Sequence, residues 1–160
     1  MSKKESSVPG IEISCNEDVC MITLNSAPDR PGIGAQVFGD LWSSGINVQM
    51  ITSAPVAKGK ANITLTIGHK DLNHAIFCLK KVQQHIGAES LQVDSDAALL
   101  SVSAPNLAQT PGVATQIFKV LSEKNINVEA VSTSPTLISC IIQKAFASKA
   151  TKALRQKFCS

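Results

Sequence analysis

Asp29-Arg30-Pro31-Gly32-Ile33-Gly34, with the apolar-periodic run that follows and the later Ile46-Asn47-Val48, decides the fold because the whole unit occurs twice. The second copy opens at Thr110-Pro111-Gly112. Pro31 and Pro111 stand 80 positions apart (111 − 31), and the same offset relates eight further identical pairs: Gly32/Gly112, Gln36/Gln116, Phe38/Phe118, Leu41/Leu121, Ile46/Ile126, Asn47/Asn127, Val48/Val128 and Pro55/Pro135. A register held that long means two copies of one small domain. Any function is therefore to be sought in what two copies build together.

The rest of the composition narrows the classes. A chain of 160 residues divided in two gives domains near the lower limit for a self-sufficient core. Apolar residues make up 44% and charged residues 17%, as in a packed soluble protein, and no apolar run approaches the roughly 20 residues that span a bilayer. The net charge is only +3, the basic residues are scattered except near the two ends, and aromatics are few, which argues against a nucleic-acid surface. Five cysteines, an odd number with no Cys-x-x-Cys pair, suit a reducing cytoplasm. The functional alternative is a reactive thiol at Cys20 or Cys140. Met1 to Ser7 is polar and leads into no hydrophobic segment, so the opening reads as a tail and not as a secretion signal.

Along the chain, Ile11–Cys15 alternates as a strand, Asn16-Glu17-Asp18 reads as a turn, Val19–Asn25 as a central strand and Ser26–Asp29 as a loop. Pro31 suits the first helical position, and Ile33, Val37, Phe38, Leu41 and Trp42 then share a face that ends at Ser43-Ser44-Gly45. Strands follow at Val48–Ala54 and Ala61–Ile67 around the Lys58-Gly59-Lys60 turn. Asp71 is placed to cap a second helix that Gly87 ends, and Ser90–Val93 closes the repeat. The order β-α-β-β-α-β is ferredoxin-like, an α+β fold. The second repeat runs through a strand at Ala98–Ser103, a helix at Pro111–Lys124, a hairpin of Val128–Ser134 with Leu137–Gln143, and a helix at Ala147–Phe158. It lacks a closing strand, whereas the first repeat has one too many. The N-terminal strand is therefore expected to complete the second domain, giving a polar tail over 1–9, one domain over 15–96 and another over 97–160 plus 10–14.

The repeated loop carries the chemistry. A helix N-terminus presents unpaired N–H groups and a positive dipole end suited to a carboxylate. Pro31 donates nothing, so Gly32, Ile33 and Gly34 are the expected donors, and Asp29 beside them can take an ammonium group. An anion site next to an acid suits a zwitterionic amino acid; the plainer alternative is a helix start. Asn47 and Asn127 are either ligand contacts or turn asparagines that tolerate unusual backbone angles. Ser53 and Ser134, in the matching stretches Thr52-Ser53-Ala54-Pro55 and Thr133-Ser134-Pro135, either line the same cleft or end a strand. His69, His74 and His85 have no partners at ligand spacing, so no metal is expected, and no nucleophile–base pair suggests catalysis.

These stretches together resemble the tandem ACT domains of the aspartokinase regulatory region, which some bacteria also make as a separate small subunit. The resemblance rests on Asp29-Arg30-Pro31-Gly32, Ile46-Asn47-Val48-Gln49-Met50-Ile51, Ala61-Asn62-Ile63-Thr64-Leu65-Thr66, Thr110-Pro111-Gly112-Val113-Ala114 and Val131-Ser132-Thr133-Ser134, and runs from about Val8 to Phe158. It implies a lysine or threonine effector at a seam between ACT domains, a homodimer, an aspartokinase catalytic domain or subunit as partner and no cofactor. The catalytic domain itself is absent from the sequence. Implied effector contacts are Asp29, Gly32 and Gly34 in the first repeat and Ala114, Asn125, Asn127, Val128 and Ser134 in the second. The chain departs from the family pattern at Ser53-Ala54, where Gln-Asn is usual, at Ser134-Pro135-Thr136, and at Ala104–Gln109, which replaces a glycine-rich loop. These departures motivate a rival expectation, an ACT scaffold for dimerisation that no longer binds an effector.

Overall fold

The computed structural model describes residues 8–159; the polar tail expected over 1–9 lies almost wholly outside them. Among the described residues six strands and four α-helices follow one another as β1 (Glu12–Pro28), α1 (Ile33–Ser43), β2 (Val48–Ala57), β3 (Lys60–Gly68), α2 (Leu72–Ile86), β4 (Ser90–Ser103), α3 (Val113–Glu123), β5 (Ala130–Thr133), β6 (Leu137–Gln143) and α4 (Ala147–Phe158). The strand order is β2-β3-β1-β4-β6-β5. Two compact units divide this chain: Asp18–Ala97, and residues 8–17 together with 98–159.

In the Asp18–Ala97 unit, β3 shows why the pattern folds as it does. Ala61, Ile63, Leu65 and Ile67 alternate inward and are all buried, while Asn62 and Thr64 on the other face remain half-buried. Cys20, Ile22 and Leu24 of β1, Val37 and Leu41 of α1, and Leu79 and Val82 of α2 join Ile63, Leu65 and Ile67 in one core. Removing a Leu or Ile of this kind from water contributes about 1.5–3 kcal/mol each. The other unit repeats the scheme with Leu100 and Val102 of β4, Ile117 and Leu121 of α3, Cys140 and Ile142 of β6, and Leu154 and Phe158 of α4. Val8 and Ile13 are buried in that second core, so the start of β1 belongs to the unit built from the second repeat. Arg155 Nη2 donates to the Ile13 carbonyl at 3.1 Å and ties the strand to α4.

Several expectations are corrected. Asn16-Glu17-Asp18 is not a turn, and β1 is one strand of 17 residues; its three polar residues are exposed on the strand, where alternation has no buried face to serve. For the same reason Ser90–Val93 and Ala98–Ser103 are one strand, β4. Ser26–Asp29 is strand as far as Pro28, around a bulge. Trp42 does not face the core but is 82% exposed, because the inward stripe of α1 is Ile33, Val37 and Leu41. Asp71 makes no side-chain cap; a 3₁₀ turn at His69–Asp71 leads into α2 instead. Strand β5 is shorter than expected, and β2 runs on to Ala57.

Candidate functional site

The Pro-Gly loops start their helices differently from the sequence expectation. Gly32 has φ +95° and ψ −20°, and the Ile33 N–H donates to the Arg30 carbonyl at 3.4 Å. This is a type II turn, with proline fixing the second position and glycine supplying the left-handed third. Gly112 matches it with φ +87° and ψ −4°. Pro31 and Pro111 therefore lie outside the helices, and the caps are Gly32 and Gly112. A Cβ added at either glycine would meet nothing within 4 Å. The backbone angle, and not crowding, requires glycine there.

The first turns of the two helices lack side-chain partners. No side chain caps α1 or α3, and neither first turn contains an acidic residue. In α1 the Ile33 N–H is used by the turn and the Ile33 side chain is buried, which leaves Gly34 and Ala35 as the residues whose N–H groups lack intrahelical acceptors. Ala35 was missed because the expected start lay two residues too early. Asp29 is exposed on the same loop, and its own N–H is held by the Gly59 carbonyl at 2.9 Å.

At the start of α3 a cleft of about 340 Å³ is lined by Thr110, Pro111, Gly112, Ala114, Thr133 and Ser134, among others. Backbone bonds shape it: Ala104 N–H to the Thr136 carbonyl and Ala108 N–H to the Pro135 carbonyl, both 3.0 Å, with Ser134 N–H closing on the Leu137 carbonyl at 2.7 Å. Ala114 and Ser134 are thus brought together, and Thr110 and Thr133 join them as residues the sequence did not single out.

Asn125, Asn127 and Val128 are brought together elsewhere. They line a groove of about 540 Å³ with Phe118 and Ser122 at the far end of α3. Ala114 and Asn125 are eleven residues apart along and past this helix, about 16 Å at 1.5 Å per residue. One amino acid does not reach both ends. The unusual backbone angle at this turn belongs to Asn125, with φ +56°, and not to Asn127; Asn125 occupies the position that Gly45 fills 80 residues earlier. In the first repeat Asn47 is exposed beyond the end of α1, and Ser53 is exposed on β2 opposite Ile63. None of the clefts described here is lined by Asn47, Ser53 or the Asp29 loop.

Two other clefts are lined by residues outside the expected effector contacts. One lies between α1 and α2 with Gln36, Asp40, Lys81 and His85; the other lies beside β1 and α4 with Cys15, Glu17, Thr151 and Arg155. Burial pushes the Cys140 thiol up to about 11. Cys15 is also raised, by burial first and then by Glu17, against a lowering hydrogen bond from Thr151. Cys20 is fully buried. A nucleophilic role for Cys20 or Cys140 has no support, since a thiolate is what reacts. Among the described residues no three His, Cys, Asp or Glu side chains are grouped to hold a metal, and no helix is long and apolar enough to cross a membrane.

Two α+β units with glycine-started helices at equivalent places define a tandem pair of one ferredoxin-like domain as the class. The ACT domain family model matches residues 25–83 and 100–158. The regulatory subunit of aspartate kinase from Thermus thermophilus superposes with a TM-score of 0.87 at 31% identity, over 96% of this chain and 99% of that one. An aspartokinase structure of alpha and beta subunits superposes at 0.86 with 28% identity, again over 96% and 99%. The aspartokinase of Helicobacter pylori is 31% identical over 147 residues, which are 92% of this chain and 35% of the relative. This chain belongs to the ACT-domain family of aspartokinase regulatory regions. It spans about a third of the length of the full aspartokinases it matches.

Proposed function

We propose that the chain is the effector-sensing part of an aspartate kinase: it binds an amino acid of the lysine or threonine type and passes the bound state to a catalytic domain or subunit in the cytoplasm. The observation that carries this reading is the repeated helix start with no side-chain cap and no acid in its first turn, which leaves first-turn N–H groups of α1 and α3 for a carboxylate. Asp29 beside α1 is the acid for the ligand's ammonium group. Gly32, Ile33 and Gly34 shape that end, with Pro31 setting the turn. Ala114 and Ser134 shape the equivalent end in the second repeat.

The distance between the two ends of α3 shapes the rest of the proposal. Asn125, Asn127 and Val128 form an open half-site whose remaining contacts come from a second copy of the chain, so effector binding and homodimerisation are one equilibrium. A ligand that prefers one arrangement shifts the population toward it, and this differential affinity is the whole of its allosteric effect.

The test is calorimetric titration with lysine, threonine and a panel of other amino acids, alongside molecular mass with and without each. Saturable binding that changes the mass is the expected result. Replacing Asp29 with Ala should weaken that binding by about 1.5–3 kcal/mol, the size of a charged hydrogen bond, and leave the melting temperature nearly unchanged. Exposed apolar residues such as Trp42 and Phe77 favour the rival scaffold reading. A stable dimer with no response to any amino acid would establish that reading instead.

A further inference from the structure

Strand β1 does not run regularly into the Asp29 loop. Its register against β3 goes from Leu24 opposite Ile63 to Ala27 opposite Ala61, so Asn25 and Ser26 together face the single residue Asn62. This is a β-bulge, and it switches the inward parity of β1 from Cys20, Ile22 and Leu24 to Ala27. Ser26 takes φ +51°, a left-handed angle that a residue with a Cβ adopts only where its surroundings hold it. The Asn62 side chain does so: its Oδ1 accepts the Ser26 N–H at 2.9 Å. On the other side the Asn25 carbonyl accepts the Glu89 N–H, and Asn25 Nδ2 donates to Ser90 Oγ, each at 2.9 Å.

We infer that Asn62 is a positioning residue, whose side-chain oxygen fixes the β1 bulge and thereby sets the place of the Asp29–Gly34 loop. Beyond the ladder pairs Ala27–Ala61 and Pro28–Lys60, two bonds hang this loop on the β2–β3 hairpin: Asn62 Oδ1 to Ser26, and the Gly59 carbonyl to Asp29 at 2.9 Å. Of these only the first comes from a side chain. The second repeat supplies a contrast within the same molecule. Strands β3 and β6 end at Gly68 and Gln143, an offset of 75, which aligns Asn62 with Leu137 (62 + 75). Leu137 has no acceptor in its side chain; there the backbone carbonyls of Pro135 and Thr136 hold Ala108 and Ala104, ahead of the Pro-Gly loop, and Thr110 Oγ1 donates to the Asn106 carbonyl at 3.0 Å within it. The first loop is thus tied to its hairpin by a side chain at this position, and the second is not.

The consequence for effector affinity rests on the function proposed above, whereas the positioning role does not. Hydrogen exchange of the whole chain separates the two. In Asn62→Ala, the amides of Ser26 and Asp29 and those at the start of α1 should exchange about tenfold faster or more, with the Thr110–Ala114 loop unchanged. Asn62→Asp, which keeps an oxygen at the same reach, should restore the wild-type rates. Asn62→Val, which favours a strand, replaces the Ala variant if that one fails to fold. In a protein that binds an amino acid, affinity should fall about five- to tenfold in the Ala variant and recover in the Asp variant, the effect of one lost hydrogen bond. Unchanged exchange at Ser26 and Asp29 would overturn the positioning role. Faster exchange with unchanged affinity would overturn its link to the ligand. If the wild-type protein binds no amino acid, the proposed function fails, and the exchange rates still decide the role of Asn62.

Discussion

Ile126 donates its backbone N–H to the Leu121 carbonyl at 2.9 Å, and both side chains are buried in the same core. Ile46 and Leu41 do the same at 3.0 Å. With Asn125 N–H on the Ser122 carbonyl and Gly45 N–H on the Trp42 carbonyl, both 2.9 Å, each is a Schellman motif. The left-handed residue is Gly45 in one copy and Asn125 in the other.

That difference separates stability from binding. Asn125→Gly removes a side chain from a left-handed position and should stabilise the protein by about 1 kcal/mol in urea unfolding. The same change deletes an amide from the groove of Phe118, Asn127 and Val128. Weaker effector binding by a more stable protein would place Asn125 in the site; unchanged affinity would make it a turn residue.

Gly32→Ala and Gly112→Ala test the type II turns. A Cβ at either place meets no atom, so the cost is that of the backbone angle alone, about 1–2 kcal/mol. A cost below about 0.3 kcal/mol would show that the loop shifts to another conformation.

Ile13→Ala examines the exchange of the N-terminal strand. Ile13 is 7% exposed and packs with the second repeat's core, so truncation should cost about 2–4 kcal/mol. Amide exchange should rise first in 98–159 and not in 18–97. The opposite order would remove β1 from that unit's stabilisation.

Thr66 is fully buried, and its Oγ1 has no hydrogen-bond partner. Thr66→Val keeps the shape and deletes the unpaired hydroxyl, and should raise stability by about 1 kcal/mol in the same urea assay.

Cys140 makes stability depend on alkaline pH. Burial raises its pKa from 9.0 to about 11, so the folded protein keeps a proton that the unfolded chain releases. Its contribution is fully present below pH 9 and is lost as pH rises toward about 11, with a limit of about 3 kcal/mol. Cys140→Ala should flatten that part of the curve, after allowance for its own cavity cost.

The sequence by itself determined the repeat and the β-α-β-β-α-β order. Those follow from periodicity and from a count of strands, both of which are local or additive. Residues 16–18 and 94–96 were opaque because polarity on a strand exposed on both faces looks like a turn. Pro31 was read as a helical residue because a type II turn and a helix start share the same Pro-Gly. Only the tertiary structure decided which residues meet: it divided Ala114 and Ser134 from Asn125, Asn127 and Val128, and it put Asn62 against Ser26 across 36 positions of chain. A one-residue bulge shifts register without any change in composition, so its consequences become visible only when two strands lie side by side.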